Sequence, residues 1–232
     1  MICTYFTELS LHSKEITITD DEYRHLKAFR VKIDHPLLVT NGKGLVASAI
    51  VTDYNKLSIH LVIQEFLPDY GELKINTAIA MPLLDNKDRF EFALEKVTEM
   101  GVNEVYPVIS RFTQKKEINL PRLKSKSIAT IKQCYRSRLT VIHRPLFLKD
   151  LIRLSNNFDR VYYADMDTHK KVNHARDESL LYIIAPEGGF SKEEIAEISS
   201  ITNSVPLHLG RRILRSETAA VVGFGLLTNS IF

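Results

Sequence analysis

The pattern of apolar and polar positions divides the chain into two segments of different periodicity. Over residues 1–70, apolar and polar residues alternate in short runs, which turn-rich sequences interrupt at 41–44 and 53–56. Short alternating runs spaced about 8–12 residues apart are typical of a small antiparallel β-barrel. The predicted strands are 15–19, 37–40, 46–51 and 57–63, and a short helix capped by an aspartate is predicted over 20–30.

Beyond a turn-rich link at 67–72, the pattern changes to strands that alternate with helices. Predicted strands are 75–80, 104–109, 139–143, 160–164, 181–185 and 205–209, and predicted helices are 88–100, 121–138, 148–155, 191–201 and 216–229. Such alternation is typical of a parallel sheet covered on both faces. The sequence therefore predicts an α/β protein with two domains, residues 1–70 and 73–232.

Two predicted strands of the second segment end in glycine turns. The strand 181–185 leads to Gly188-Gly189, and the strand 205–209 leads to Gly210. A capping-box sequence begins at Ser191, and Ser216 is the predicted N-cap of the last helix. Glycines at the carboxyl edge of a parallel sheet leave main-chain N–H groups open to a ligand. We therefore expect a cleft with two main-chain walls, suited to an adenine and a methionine-like carboxylate.

Charge is distributed unevenly along the chain. The formal net charge is +3, yet ten basic residues lie between Arg111 and Arg144, with Glu117 as the only acid among them. A basic segment of this kind is typical of proteins that bind a polyanion. Charge runs also form solvated helix faces, but the scarcity of acids here favours nucleic acid as the partner.

Several other classes lack support in the sequence. No apolar run approaches the ~18 residues of a membrane span, and the first residues lack the basic start of a signal peptide. Cys3 and Cys134 are too few for a disulfide framework, which favours reduced thiols and a cytoplasmic protein. Phosphate-binding, dinucleotide-binding and serine-nucleophile motifs are absent, and no His or Cys cluster predicts a metal.

The two glycine-turn sequences carry a resemblance to a known family. Residues 186–190, Pro-Glu-Gly-Gly-Phe, resemble the I-G-P-E-G-G-F/L motif of the 16S ribosomal RNA uracil N3-methyltransferases of the RsmE type. Residues 209–219 are similar to that family's L-G-x-R-I-L-R-T-E-T-A motif, and further similar stretches are 25–30, 95–102 and 133–138. The resemblance covers nearly the whole chain. Ala185 departs from it, because the family usually has glycine there.

The resemblance implies a SPOUT methyltransferase domain: a parallel α/β sheet with a trefoil knot that binds S-adenosylmethionine. It also implies a PUA-like RNA-binding barrel at the N-terminal side, a homodimer, and small-subunit ribosomal RNA or the assembled small subunit as partner. The residues it implies for the cofactor, mainly through backbone atoms, are Met166, Ala185, Gly188, Gly189, Leu209, Gly210, Ile213 and Leu214.

The implied reaction is methylation of N3 of a specific uridine in 16S ribosomal RNA. Arg215 is the candidate that holds the uracil or its phosphate, while Glu217 either assists proton removal or is a carboxylate at a helix start. The candidate RNA contacts are Arg111, Arg136 and Arg138, with His25 and Arg30 from the barrel. His25 has the alternative role of a residue satisfied at the seam between barrel and helix.

Other functions stay open at the level of sequence. The same chemistry on transfer RNA or at another ribosomal RNA position would use the same motifs. A non-catalytic RNA-binding protein of ribosome assembly could retain the knot, although intact Gly188-Gly189 and Arg215 argue against it. A nucleotide-cofactor oxidoreductase ranks last, because the chain has no dinucleotide fingerprint.

Overall fold

The structure, a computed structural model, describes residues 1–113, 117–165, 168 and 177–229. The chain forms two compact units. One comprises Met1–Glu72 with Ser127–Leu139, and the other comprises Leu73–Lys126 with Thr140–Phe232. The division therefore falls inside a helix of the basic segment, whose second half belongs to the first unit.

The first unit is built on a single curled sheet. Its elements are β1 (Cys3–Tyr5), β2 (Glu15–Ile18), α1 (Asp20–Ala28), β3 (Pro36–Thr40), β4 (Leu45–Tyr54) and β5 (Ile59–Pro68). The strand order is β1-β3-β4-β5-β2. The sheet is mixed rather than purely antiparallel, because β1 pairs with β3 in parallel. The three-residue β1 is too short to show alternation, which explains why it was not predicted.

The predicted aspartate cap of α1 is wrong. Thr19 occupies the N-cap position, and its hydroxyl donates to the Asp20 carboxylate at 2.8 Å instead of capping the helix. The three acidic residues of the first turn still complement the helix dipole. Leu26, one turn after Glu22, is fully buried in the core of this unit.

The second unit is built on a parallel sheet. Its elements are β6 (Thr77–Pro82), α2 (Lys87–Glu99), β7 (Glu104–Ile109), α3 (Leu120–Cys134), β8 (Val141–Ile142), β9 (Leu146–Phe147), α4 (Leu148–Leu154), β10 (Arg160–Ala164), β11 (Leu180–Ile183), α5 (Lys192–Ser199), β12 (Ser204–Leu207) and α6 (Ser216–Thr228). The strand order is β12-β10-β11-β6-β7-β8, with β9 also on β7, and every pairing is parallel. Helix α3 crosses into the first unit at Ser127.

Both faces of this sheet are buried, as the alternation predicted. On one face, Ile79 and Tyr182 pack with Phe224 of α6. On the other face, Ile183 packs with Ile198 of α5 and with residues of α4. The two buried faces explain why β6 and β11 are buried along their whole length instead of alternating between buried and exposed residues. Among the described residues, no helix is long and apolar enough to cross a membrane.

Candidate active site

Two glycine turns meet at the carboxyl edge of the parallel sheet. Strands β11 and β12 flank β10, so the segments that follow them emerge on either side of its carboxyl end. They enclose a cleft of about 660 Å³, whose walls include Ala185 and Gly189 from one turn and Leu209 and Gly210 from the other. The fold thus brings together residues that the sequence predicted as one ligand site.

The backbone of these turns requires glycine at two positions. Gly189 has φ +74° and Gly210 has φ +109°, in the region that L-residues avoid. Among the described residues, a Cβ at either position would have no heavy atom within 4 Å. Gly188 is different: it lines an adjoining pocket and lies against Phe112 instead of facing the main cleft.

The segment 209–214 offers its main chain to a ligand. Within the described part of the chain, none of its N–H or C=O groups makes a hydrogen bond. Leu214 packs against the core from this segment, whereas Ile213 is 87% exposed. Apolar residues flanked by arginines are expected to hold such a loop against the core, which Leu214 does and Ile213 does not. Both side chains line the cleft.

Hydrogen bonds fix the first turn in place. The Gly189 N–H donates to the Pro186 carbonyl at 2.9 Å, and the predicted capping box at Ser191 is present with both of its bonds. The Ser216 hydroxyl donates to the Ala185 carbonyl at 2.8 Å. Ser216 is consequently not the N-cap of α6, a position that Arg215 occupies without a side-chain cap.

Arg89 of α2 links the first turn to the start of α6. Its guanidinium donates to the Glu187 carboxylate, and its Nε lies 3.6 Å from Oε1 of Glu217. Glu217 is 9% exposed, and its buried Oε2 has no hydrogen-bond partner among the residues that the structure describes. The predicted Glu217 is thus an interior carboxylate that Arg89 neutralises in part. Arg89 was not predicted, because it and Glu187 are 98 residues apart in the sequence.

Positive charge gathers at the mouth of the cleft. Arg212 and Arg215 both line the cleft and are exposed. In the ranges that the structure describes, neither has an ion-pair partner. Beneath them, the Tyr182 hydroxyl donates to the Ala219 carbonyl of α6 at 3.1 Å. Burial raises the pKa of Tyr182, so this hydroxyl stays a neutral donor. Met166, predicted for the cofactor, lies outside the described residues.

The candidate RNA contacts divide into exposed and buried side chains. Arg111 is exposed and pairs with Glu193 at 3.1 Å, and Arg138 pairs with Asp69 at 2.6 Å on the surface of the first unit. Arg136 is buried in an ion pair with Glu72, so the predicted contact between Arg136 and RNA phosphate is wrong.

The two candidates from the first unit also differ. Arg30 is exposed, with a main-chain φ of +53°. The His25 ring is half-buried, with Nε2 3.2 Å from the Cys3 carbonyl and an edge-on contact to Phe29. His25 therefore has the local partners expected of a residue satisfied at the seam between strand and helix.

Carboxylates from other elements neutralise part of the basic segment. Arg122 and Lys126 pair with Glu91 and Glu95 of α2, and Lys132 pairs with Glu22 of α1. These acids lie far away in the sequence, which explains why the segment looked unopposed. The charge available to a polyanion is therefore smaller than the local count of basic residues.

Fold and cleft together define an α/β protein with an open cleft between two glycine turns at the carboxyl edge of its parallel sheet. The RNA methyltransferase domain family matches residues 71–228, and the RNA methyltransferase PUA domain family matches residues 18–64. Ribosomal RNA small subunit methyltransferase E of Mesomycoplasma hyopneumoniae is 30% identical over 220 residues, covering 92% of both chains. The protein of the same name from Rickettsia conorii is 26% identical over 226 residues, covering 94% of this chain and 91% of its own.

A solved structure has the same fold. Ribosomal RNA small subunit methyltransferase E of Neisseria gonorrhoeae, crystallised with S-adenosyl methionine, superimposes with a TM-score of 0.85 at 22% identity, covering 99% of this chain and 98% of that one. The chain belongs to the RNA methyltransferase family that includes the ribosomal RNA small subunit methyltransferase E proteins. The predicted family and the predicted α/β fold with a PUA-like domain are confirmed.

Proposed function

We propose that this protein methylates N3 of a uridine in small-subunit ribosomal RNA, with S-adenosylmethionine as the methyl donor. The observation that carries the proposal is the cleft between Gly189 and Gly210, in a chain that belongs to an RNA methyltransferase family. The names of the relatives support ribosomal RNA of the small subunit as the substrate. The uracil N3 position follows from the motif resemblance at 186–190 and 209–219.

The residues of the cleft fit this cofactor. A volume of about 660 Å³ lies within the range of small-molecule sites, roughly 300–1,000 Å³. The main chain of 209–214, which makes no hydrogen bond within the described ranges, can hydrogen-bond an adenine edge, and the exposed Arg212 can pair with a carboxylate. The residues that would hold the cofactor are Ala185, Gly189, Leu209, Gly210, Ile213 and Leu214. Bound there, it supplies a methyl group on positively charged sulfur, which leaves as a neutral thioether.

The protein's own part in the reaction is to position groups and to shield them from water. Arg215 has an exposed guanidinium at the cleft, and we assign it to holding the uracil oxygens or the adjoining phosphate. Glu217 is buried behind the cleft, and we assign it to a positioning role. Through Arg89 it fixes the start of α6, where Arg215 occupies the N-cap position.

The remaining parts of the proposal concern assembly. We propose that residues 1–70 act as an RNA-binding domain and residues 73–232 as the methyltransferase domain, knotted as in the SPOUT class. A homodimer is supported by exposed apolar side chains on α2 and α6, namely Phe92, Val222 and Leu226. Action on ribosomal RNA would place the protein in the cytoplasm.

The test of this function is methyl transfer to ribosomal substrates. Purified protein and tritiated-methyl S-adenosylmethionine are mixed with small subunits from a strain that lacks the gene, and in parallel with transfer RNA and large subunits. We expect label in small-subunit RNA alone. Label in transfer RNA or in large subunits would show that the substrate is a different RNA. Cofactor binding without methyl transfer to any RNA would contradict the proposal.

A further inference from the structure

A second pocket adjoins the cofactor cleft on the other side of the first glycine turn. Its volume is about 460 Å³, and its walls include Pro186, Glu187 and Gly188 of the turn together with Arg111 and Phe112 of the loop after β7. Pro186 and Glu187 also line the main cleft. One turn therefore separates two sites, and a ligand spanning both would occupy neighbouring positions on either side of it.

Phe112 is an exposed aromatic side chain on a fixed loop. It is 49% exposed, and a Cβ added to Gly188 would lie 3.2 Å from the Phe112 Cβ, so this side chain packs closely on the turn. The loop is held by the Ser110 N–H, which donates to the Thr113 hydroxyl at 3.0 Å. It is also held by the Arg111 N–H, which donates to Glu194 at 2.7 Å. Because the loop is already ordered, a ligand that binds to Phe112 causes little further loss of conformational entropy.

The charges around Phe112 suit a nucleotide. The Arg111 guanidinium lies 5.7 Å from the centre of the Phe112 ring, and its pair with Glu193 joins two largely exposed side chains. Such a pair is worth about 0–1 kcal/mol, so it can be exchanged for a phosphate. Asp85 lines the pocket too, and it has no ion-pair or hydrogen-bond partner among the described residues. A free carboxylate can accept from base N–H groups.

We infer that this pocket receives an unpaired base of the substrate RNA, next to the methylated nucleotide, stacked on Phe112. An aromatic ring beside an arginine is how proteins bind unstacked RNA bases. The shared turn determines where the two bases lie. The target base enters the cofactor cleft, and the neighbouring base lies in the second pocket, on the other side of Pro186 and Glu187. This inference rests on the proposed function for the identity of the RNA.

The first experiment compares two exposed phenylalanines. Phe147 is 51% exposed with Lys149 Nζ 5.8 Å from its ring centre, so Phe147→Leu is a matched control for Phe112→Leu. Affinity for a fluorescein-labelled single-stranded oligouridylate is measured by anisotropy at fixed salt. We expect Phe112→Leu to weaken binding about tenfold, about 1.4 kcal/mol. Phe112→Tyr should retain the affinity, and Phe147→Leu should change it less than about twofold. Equal effects of the two leucine variants, or no effect of either, would overturn the inference.

A second experiment uses the unsubstituted protein. A 5-iodouridine oligonucleotide is bound, irradiated and digested, and the cross-linked peptide is identified by mass spectrometry. A cross-link at Phe112 supports the site, and cross-links found only elsewhere overturn it. The readouts also separate this site from the proposed reaction. RNA binding that depends on Phe112 without methyl transfer leaves the site standing and rejects the reaction. Methyl transfer to RNA with no dependence of RNA binding on Phe112 supports the reaction and rejects the site.

Discussion

The guanidinium of Arg136 donates to the carboxylate of Glu72 at 2.7 Å, with the two side chains only 2% and 4% exposed. Glu72 also accepts from the Ser137 hydroxyl at 3.2 Å and from the Arg138 N–H at 2.7 Å. Within the first unit, the carboxylate thereby ties the segment after α3 to the end of the Met1–Glu72 stretch. Removing one partner of a buried ion pair leaves the other charge without compensation.

Arg136→Met is therefore expected to lower the free energy of unfolding by about 3–5 kcal/mol. The matched control is Arg138→Met, because the pair of Arg138 with Asp69 is half exposed and should contribute no more than about 1 kcal/mol. Urea denaturation measures both. If both variants lowered the free energy of unfolding by similar amounts, the buried pair of Arg136 with Glu72 would contribute no more than the exposed pair of Arg138 with Asp69.

Gly210 should be needed for its backbone conformation. At φ +109° an alanine is strained, although a Cβ there would contact none of the described residues, and such strain costs about 1–3 kcal/mol. We expect Gly210→Ala to weaken S-adenosylmethionine binding by roughly tenfold or more in calorimetry. Gly225→Ala in α6 is the control, since its nearest neighbour is the flexible end of Met100 and a helical alanine is favourable. Unchanged affinity in Gly210→Ala would show that this turn does not hold the cofactor.

Arg89 should stabilise the buried Glu217. Arg89→Met leaves a carboxylate that is already short of one partner, and we expect a loss of about 1–3 kcal/mol in the free energy of unfolding. The double variant with Glu217→Gln should recover part of that loss. Arg153→Met, which breaks only an exposed pair with Asp150, is the control. Additive losses in the double variant would mean that the two side chains do not interact.

The stability of the first unit should depend on the ionisation of Glu22. Burial by itself would raise the pKa of Glu22, but hydrogen bonds from Lys132, the Tyr5 N–H and the Thr4 hydroxyl together lower it below its ordinary value. A lowered folded pKa gives stability that is present above the unfolded pKa and is lost as pH falls through the folded pKa.

Glu22→Gln should consequently destabilise the protein at neutral pH. The difference in free energy of unfolding between Glu22→Gln and the unsubstituted protein should shrink once the pH falls below the ordinary glutamate pKa of about 4.3. Urea unfolding across a pH series measures this, with Glu15→Gln, an exposed residue of the neighbouring strand, as control. A difference that stays constant with pH would exclude Glu22 as the titrating group.

Local patterns predicted the sheet well, because each buried strand has its own apolar run. Strands β7 and β10 begin and end where the sequence predicted. Helix α3 ends at Cys134 rather than 138, because Tyr135 adopts φ +62°. Helical spacing could not reveal where α3 ends, because the residues just after its end make long-range bonds such as that of Arg136 with Glu72.

The site was predictable where glycine demands a backbone shape and unpredictable where side chains meet across the fold. Gly189 and Gly210 face the cleft as expected. The exposure of Ile213 and the burial of Arg136 depend on surroundings that the local sequence does not contain. The role of Phe112 depends likewise on its approach to Gly188, which lies far along the chain.

The most direct test of the central claim is the identity of the methylated nucleoside. Small subunits from a strain lacking the gene are treated with protein and S-adenosylmethionine, and their RNA is digested and analysed by mass spectrometry. Arg215→Ala is compared with Arg211→Ala, an exposed neighbour that does not line the cleft. We predict N3-methyluridine at one position, retained in Arg211→Ala and reduced by roughly a hundredfold or more in Arg215→Ala. A methyl group on any other atom or base, or full activity without Arg215, would contradict the account.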